Sequence, residues 1–371
     1  MINNLKETSF SSTTEIPLSE QAQYYDMIVF SHLRWQHVYQ RPQQIISRMA
    51  ETMKVLVIEE PIRNPENENP GDLIIINEKL HILQPNTFNI ESIASIIPSF
   101  VKSKNIQTGW FCSAEFCSLL DYFQFDTTVY DCMEELSPSN TSAALLDQEK
   151  YLIASADIIF TETKALFQSK KQLHDNVHYF PGSVDEAHFA KALNNISIPA
   201  DIGDLPSPVV GYYGIIDQRL DFDLLQKTAQ KLPEVSFVLI GPSDKKLELP
   251  EESNIHYLGM KCYNELPYYL KSFDIAMMPL NNQKNTGPVN VLEYMAARKP
   301  IISTKISDAV HDCITCVNVV ETADQFADTI SFLNQKTDRQ SLEIEYRSVL
   351  KKTSWDETVQ QMKSVIKFFA K

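Results

Sequence analysis

The run Asn285-Thr286-Gly287-Pro288-Val289-Asn290-Val291-Leu292-Glu293-Tyr294-Met295-Ala296 places residue types together that can hold a phosphate beside a ribose. Thr286 and Gly287 permit a tight loop, and Pro288 suits a first helical position. The start of the helix then presents N–H groups with no intrahelical partner, a preformed site for a phosphate. Glu293 falls about one turn inside that helix, where a carboxylate can accept two ribose hydroxyls. The same residues also read as an ordinary capped helix with a surface glutamate, and physics alone does not choose between the two.

A second concentration lies at Phe30-Ser31-His32-Leu33-Arg34-Trp35-Gln36-His37-Val38-Tyr39-Gln40-Arg41-Pro42-Gln43. It reads as a strand, a polar loop and a helix starting near Pro42. His32 stands at the strand's carboxyl end, where it would face a cleft, and Arg34 and Arg41 can neutralise a diphosphate. The alternative is an Arg41 that caps its own fold and a His32 satisfied in the core. Two arginines, two histidines and a tryptophan in one loop favour the functional reading. The pair Cys313 and Cys316 lacks a second ligand pair or a following helix, and the CVNVVE that begins at Cys316 reads as a strand, so these are taken as plain cysteines.

The elements that must position these residues alternate strand and helix, which implies parallel sheets with helices on both faces. Apolar runs predict strands at Asp26–Ser31, Lys54–Glu59, Gln107–Phe111, Thr127–Asp131, Asp157–Thr161 and Val177–Pro181, with two short strands around Asn77-Glu78. Helical patterns include Pro42–Glu51 and Thr141–Ser155. The stretch Asn195–Pro208, with Pro199, Pro206 and Pro208, reads as a linker. The alternation restarts with PVVGYYG. It continues through helix Asp221–Leu232, strands Val235–Ile240 and Ile255–Leu258, helix Tyr263–Ser272, strand Asp274–Pro279, helix Val289–Arg298 and strand Pro300–Thr304. A last helix begins at Thr353 or Ser354 and carries an apolar stripe of Trp355, Val359, Met362, Ile366 and Phe369. The expected organisation is a tail over 1–24, an α/β domain over 25–195, a second over 196–352 and the closing helix over 353–371. Two such halves invite a ligand crevice outside the carboxyl ends of their strands.

Composition narrows the partners. A chain of 371 residues is too long for one ordinary core, since domains commonly run ~100–200 residues. The net charge of −15 argues against a nucleic-acid or anionic-lipid surface, while leaving room for a small anionic ligand if a few cations converge. No apolar stretch approaches the ~20 residues of a membrane span. The opening MINNLKETSFSSTTEIPLSEQAQ has no apolar core of a secretory signal and reads as a polar tail, so the expected compartment is the cytoplasm.

With these residues in view, the stretch from Asn285 to Thr304 resembles the nucleotide-binding signature of the group-one (family-four) retaining glycosyltransferases, which have the GT-B fold. Phe180-Pro181-Gly182-Ser183-Val184-Asp185-Glu186-Ala187-His188-Phe189 is similar to the segment that closes that family's first domain. Asn254-Ile255-His256-Tyr257-Leu258-Gly259 with Tyr263-Asn264-Glu265-Leu266-Pro267 is similar to its stretch beside the donor base. The loop from Phe30 to Gln43 resembles a bacterial surface-polysaccharide subgroup of teichuronic-acid type.

The resemblance implies two Rossmann-like domains, with the last helix crossing back to the first. It implies transfer of a sugar from a nucleotide-sugar donor, most commonly uridine-linked, to a glycan or lipid-linked acceptor, with retention and with neither metal nor cofactor. Transient contact with the inner membrane leaflet would follow from a lipid-linked acceptor, and no nucleic-acid partner is expected. It places Arg34, Arg41, Arg219, Met260, Asn285, Thr286, Gly287, Asn290 and Glu293 on the donor, and Asp131 and His32 at the reacting sugar. For Asp131 the competing reading is a helix cap. Asn285 stands where the family has the first of two glutamates eight positions apart, which keeps a catalytically silent partner subunit in view. A nucleotide-sugar epimerase is a further alternative, disfavoured by the Val-Asp-x-x-x-Phe match at Val184–Phe189.

Overall fold

Uninterrupted apolar runs suit strands covered on both faces, and the computed structural model, which describes residues 22–36, 38–66, 69–139, 141–243, 247–281, 290–304, 316–336 and 339–369, has them there. Met27–Ser31 (β1) and Val55–Glu59 (β2) are buried at every position. Gly71–Asn77 (β3) and Leu80–Pro85 (β4) form an antiparallel hairpin. The Oδ1 of Asn77 shapes its turn by accepting from the N–H groups of Lys79 (2.9 Å) and Leu80 (3.0 Å). Asn105–Phe111 (β5), Gln124–Cys132 (β6), Ile158–Thr161 (β7) and Val177–Tyr179 (β8) complete a sheet of order β3-β4-β2-β1-β5-β6-β7-β8. Beneath it Phe30 stacks on Phe111 at 4.5 Å and meets Phe116, Phe123 and Phe125 within 6.3 Å.

The second sheet consists of Val209–Tyr213 (β9), Ser236–Ile240 (β10), Ile255–Tyr257 (β11), Ile275–Met278 (β12), Ile301–Thr304 (β13) and Asn318–Val320 (β14), all in parallel pairs, in the order β11-β10-β9-β12-β13-β14. The chain winds outward from β9 to β11, returns beside β9 as β12 and winds outward the other way. That reversal is the switch point where α/β sheets of this kind open a crevice. Helix Phe222–Lys231 starts where the Asp221 side chain accepts from Leu224 N at 2.9 Å. The core beneath the sheet includes Phe237, Leu270, Phe273, Tyr294 and Ile330, each fully buried. Both sheets are therefore Rossmann-like, as the sequence pattern leads one to expect.

By contacts the chain divides into two compact units, one of Met1–Trp35, Met49–Ile159 and Phe369–Lys371, the other of Gln36–Arg48 and Phe160–Phe368. The closing helix Trp355–Phe369 buries Trp355, Val359 and Met362, with Ile366 and Phe369 half-buried. Within the second unit its first turn meets helix Arg41–Met49, where Arg48 Nε lies 2.5 Å from Asp356 Oδ1, and the strand-like bridge from Val184 to Ser354 leads into it.

The proline-rich connection is less irregular than its composition suggests. Ala200–Gly203 makes one helical turn, and Asp201 within it accepts from Tyr269 Oη at 3.0 Å and from Lys261 Nζ at 2.6 Å. Helices Lys164–Lys171, Ala323–Lys336 and Arg339–Leu350 also form, although polar residues dilute their periodicity.

Candidate functional site

The carboxyl ends of β9 and β12 flank the switch point, and the loop leaving β9 is built to span them. Gly214 has φ +145°, and Gly241, at the exit of β10, has φ +147°. A Cβ on Gly241 would lie 1.8 Å from the Gly214 carbonyl oxygen, so only glycine lets the two loops pack backbone against backbone. Gly214 N donates to Ile240 O and Ile216 N to Pro242 O, both at 2.9 Å. The loop then swings across the exit of β12, where Asp221 N donates to Pro279 O (2.8 Å) and Asn281 N to Arg219 O (2.7 Å). Arg219 is thereby fixed by its own backbone over the switch point. Its Nε donates to both oxygens of Asp217 at 2.9 Å, and its terminal nitrogens have no partner among the described residues. The side chain is 42% exposed, so this cation is available to an anion.

Helix Val291–Ala296 closes the other side, and its N-cap Asn290 with two of its residues holds Tyr213, the last residue of β9. Asn290 Nδ2 donates to the Tyr213 carbonyl at 2.6 Å, and Tyr213 N donates to Tyr294 Oη at 3.1 Å. The Tyr213 hydroxyl donates to Oε2 of Glu293. Glu293 is half-buried, and the loss of solvent around it raises its carboxyl from 4.5 to about 7, while the bond from Tyr213 acts in the opposite direction.

Aromatic rings continue this wall. Tyr263 is sandwiched between His188, with centroids 4.2 Å apart and planes within 7°, and Tyr39, at 4.5 Å and 30°. Phe189 meets Tyr263 edge-on and lies nearly parallel to Tyr213. Tyr263 Oη accepts from Gln44 Nε2 at 2.8 Å. His188 Nε2 lies 3.0 Å from the Tyr263 carbonyl, which can only accept, so that nitrogen carries the proton. Burial lowers the His188 pKa and favours its neutral form, leaving Nδ1 as an acceptor 3.4 Å from Lys191 Nζ.

Of the residues singled out from sequence, Asn290 and Glu293 thus come together at the end of β9, and Arg219 lies on the loop that leaves it. The side chain of Asn290 is committed to the Tyr213 carbonyl and serves to fix the helix. Met260 follows Gly259 in the loop after β11 and is 44% exposed. Asn285, Thr286 and Gly287 lie outside the described residues. Arg41 is buried, with Nη1 donating to Phe180 O at 2.9 Å, which is the structural role weighed for it above.

In the first unit, His32 follows β1. Its Nδ1 is buried without a partner among the described residues, and burial lowers its pKa against the opposing fields of Glu134 and Glu115. Arg34 Nη1 donates to Oε2 of Glu59 at 2.8 Å, and Trp35 N donates to the other oxygen at 2.6 Å. Glu59 is wholly buried at the end of β2, so the charge of Arg34 is balanced by this carboxylate. Asp131, at the end of β6, is 0% exposed, and a ligand can reach it only if its surroundings shift.

Sequence reasoning passed over Tyr213 and Glu59. Both end apolar strands and read there as packing residues, although a polar atom at a strand's carboxyl end is the signal that finds them. One Asp-x-Asp spacing occurs at Asp221 and Asp223. Asp221 caps a helix, and Asp223, exposed in its first turn, pairs with Lys227 at 2.6 Å. Among the described residues no group of three or more His, Cys, Asp or Glu is arranged to hold a metal ion, and no helix is long and apolar enough to cross a membrane.

Comparison with known proteins bears on the family and the fold. Residues 207–336 match the family model described as "Glycosyl transferases group 1". A Bacillus subtilis (strain 168) protein, TuaH, provisionally named a teichuronic acid biosynthesis glycosyltransferase, is 25% identical over 224 residues, covering 53% of this chain and 55% of TuaH. The match therefore spans about half of that relative. Among solved structures, Anabaena HepE in complex with UDP and glucose superposes with a TM-score of 0.67 at 11% identity, over 93% of this chain and 100% of HepE. Sucrose-phosphate synthase from Thermosynechococcus elongatus gives 0.64 at 15%, over 92% and 98%. An α,α-trehalose-phosphate synthase (UDP-forming) from Burkholderia vietnamiensis gives 0.67 at 12%, over 93% and 100%. At such identities the likeness establishes the shared two-domain GT-B fold.

Proposed function

We propose that this chain, whose residues 207–336 belong to the group 1 glycosyltransferases, moves a sugar from a uridine diphosphate sugar to a hydroxyl on a glycan or lipid-linked acceptor of a bacterial surface polysaccharide. The observation that carries this reading is the Glu293 carboxylate, held by Tyr213 at the switch point with Arg219 on the loop that crosses it. The UDP and glucose in the HepE complex and the teichuronic acid assignment of TuaH support the donor and the pathway.

In this reading Glu293 accepts the ribose hydroxyls, Met260 lies on the base side, and Arg219, with backbone amides from the stretch Thr286–Asn290, stabilises the departing diphosphate. The bond from the sugar C1 to the phosphate oxygen breaks and the bond from C1 to the acceptor oxygen forms, with retention. The acceptor's proton passes to the leaving phosphate. This cation and these amides take the place of a divalent ion. The reading places the enzyme in the cytoplasm, where it meets a lipid-linked acceptor at the inner leaflet.

Calorimetry with UDP and with 2′-deoxy-UDP tests the nucleotide site. UDP should bind, and loss of the 2′-hydroxyl should weaken binding by about tenfold or more, because it leaves a half-buried carboxylate without its partner. Equal affinity for the two, or no binding of either, would overturn the assignment. Release of UDP from a UDP-sugar, abolished in Glu293→Ala, tests the enzyme. Asn285, in place of the family's glutamate, favours one second reading, a silent partner subunit, for which UDP binds but no sugar is transferred or hydrolysed.

A further inference from the structure

Glu293 combines two opposed influences, and among the described residues the favourable one comes from a single side chain. Burial disfavours its charge, and the bond from Tyr213 is what supports it. Tyr213 on β9, Tyr263 in the turn Tyr263–Glu265 and Tyr294 on its own helix each feel the field of Glu293. Tyr213 is itself buried, and its hydroxyl titrates well above the ordinary tyrosine value, so it remains a donor throughout the physiological range. Its geometry is over-determined, because its N–H, carbonyl and hydroxyl all bond to residues 290–294. Its ring is buried against Phe189 and Tyr294, which holds the hydroxyl toward Glu293.

We infer that Tyr213 is a positioning residue for nucleotide recognition: its hydroxyl holds Glu293 as a carboxylate through Oε2 and leaves Oε1 directed to the ribose, an inference that rests on the nucleotide reading above. Oε1 has no partner among the described residues. Tyr213 does not touch the nucleotide. It sets the charge and direction of the group that does.

UDP affinity measured by calorimetry across about pH 5.5–9 tests this, with thermal melts confirming that the variants fold. In the wild type, affinity falls on acidification through the Glu293 midpoint. Tyr213→Phe should lower affinity about tenfold near pH 7. It should also move the midpoint upward by about one unit, so that affinity recovers to within about threefold by pH 9. Glu293→Gln should bind weakly with no midpoint. Site-specific 3-fluorotyrosine at 213 occupies nearly the same space with a more acidic hydroxyl, so it should move the midpoint toward acid; this arm holds the test even if Tyr213→Phe fails to fold. A uniform loss at every pH with the midpoint unchanged assigns Tyr213 to packing alone and overturns the inference while the nucleotide reading stands. Wild-type affinity in Glu293→Gln overturns the ribose assignment, and the positioning role with it.

Discussion

Glu293 makes the cost of function visible at a single residue. Its carboxyl ionises near 4.5 in the unfolded chain and at about 7 in the folded one, because burial disfavours the charge. Between those values the folded state binds more protons than the unfolded state, so stability falls as pH rises from about 4.5 to about 7 and stays low above it. Glutamine keeps an acceptor for Tyr213 and removes the charge. Glu293→Gln should therefore raise stability by about 2 kcal/mol near pH 8, a value reduced for the residue's partial exposure, and by nothing measurable near pH 4.5. Chemical unfolding at the two pH values checks this, and a variant no more stable than the wild type at pH 8 contradicts the burial account. Such a gain, bought with lost binding, is the trade expected of a site residue. The sequence points to Glu293 by its place in a helix after a glycine-proline loop. It does not point to Tyr213, because a tyrosine closing the run VVGYY also suits a core, and its partner lies 80 positions away in the chain.

At the scale of elements, the strands were legible because parallel sheets demand continuous apolar runs, and Met27–Ser31, Val55–Glu59 and Ser236–Ile240 supply them. The parallel pairing of those strands also followed from the alternation with helices. The loops were less legible, since their shape comes from contacts that no local pattern encodes. Gly241 and Gly259 look alike in sequence and both have positive φ, yet their surroundings differ. A Cβ on Gly259 meets nothing within 4 Å, whereas one on Gly241 strikes the Gly214 carbonyl. Gly259→Ala should cost about 1 kcal/mol, the strain of its φ alone, and leave UDP affinity unchanged. Gly241→Ala adds a backbone clash and should cost about 3 kcal/mol or more. It should also weaken UDP binding, because the loop carrying Arg219 must move. Urea unfolding paired with calorimetry measures both effects, and similar behaviour of the two variants would show that the loops do not pack as closely as described.

At the scale of the whole molecule, each sheet has its own buried core, and the groups that suit a nucleotide cluster on the second one. The chain's charge of −15 sets a repulsive background for a diphosphate, so binding must rest on local groups such as Arg219 and helix N–H donors. A ligand held this way stabilises the elements it touches. At a concentration of about 100 Kd it adds about 2.7 kcal/mol to any opening that releases it, which corresponds to about 100-fold slower exchange of the amides involved. Hydrogen exchange with UDP, in the absence of acceptor, should therefore show protection at residues 209–219 and 290–296, with β1 and β2 unchanged. The strand cores report only large openings, so the informative amides are those of the loop from Gly214 to Leu220, which is held at a few backbone bonds outside the sheet. Protection that appears in the first sheet and spares this loop would move the nucleotide away from Glu293 altogether.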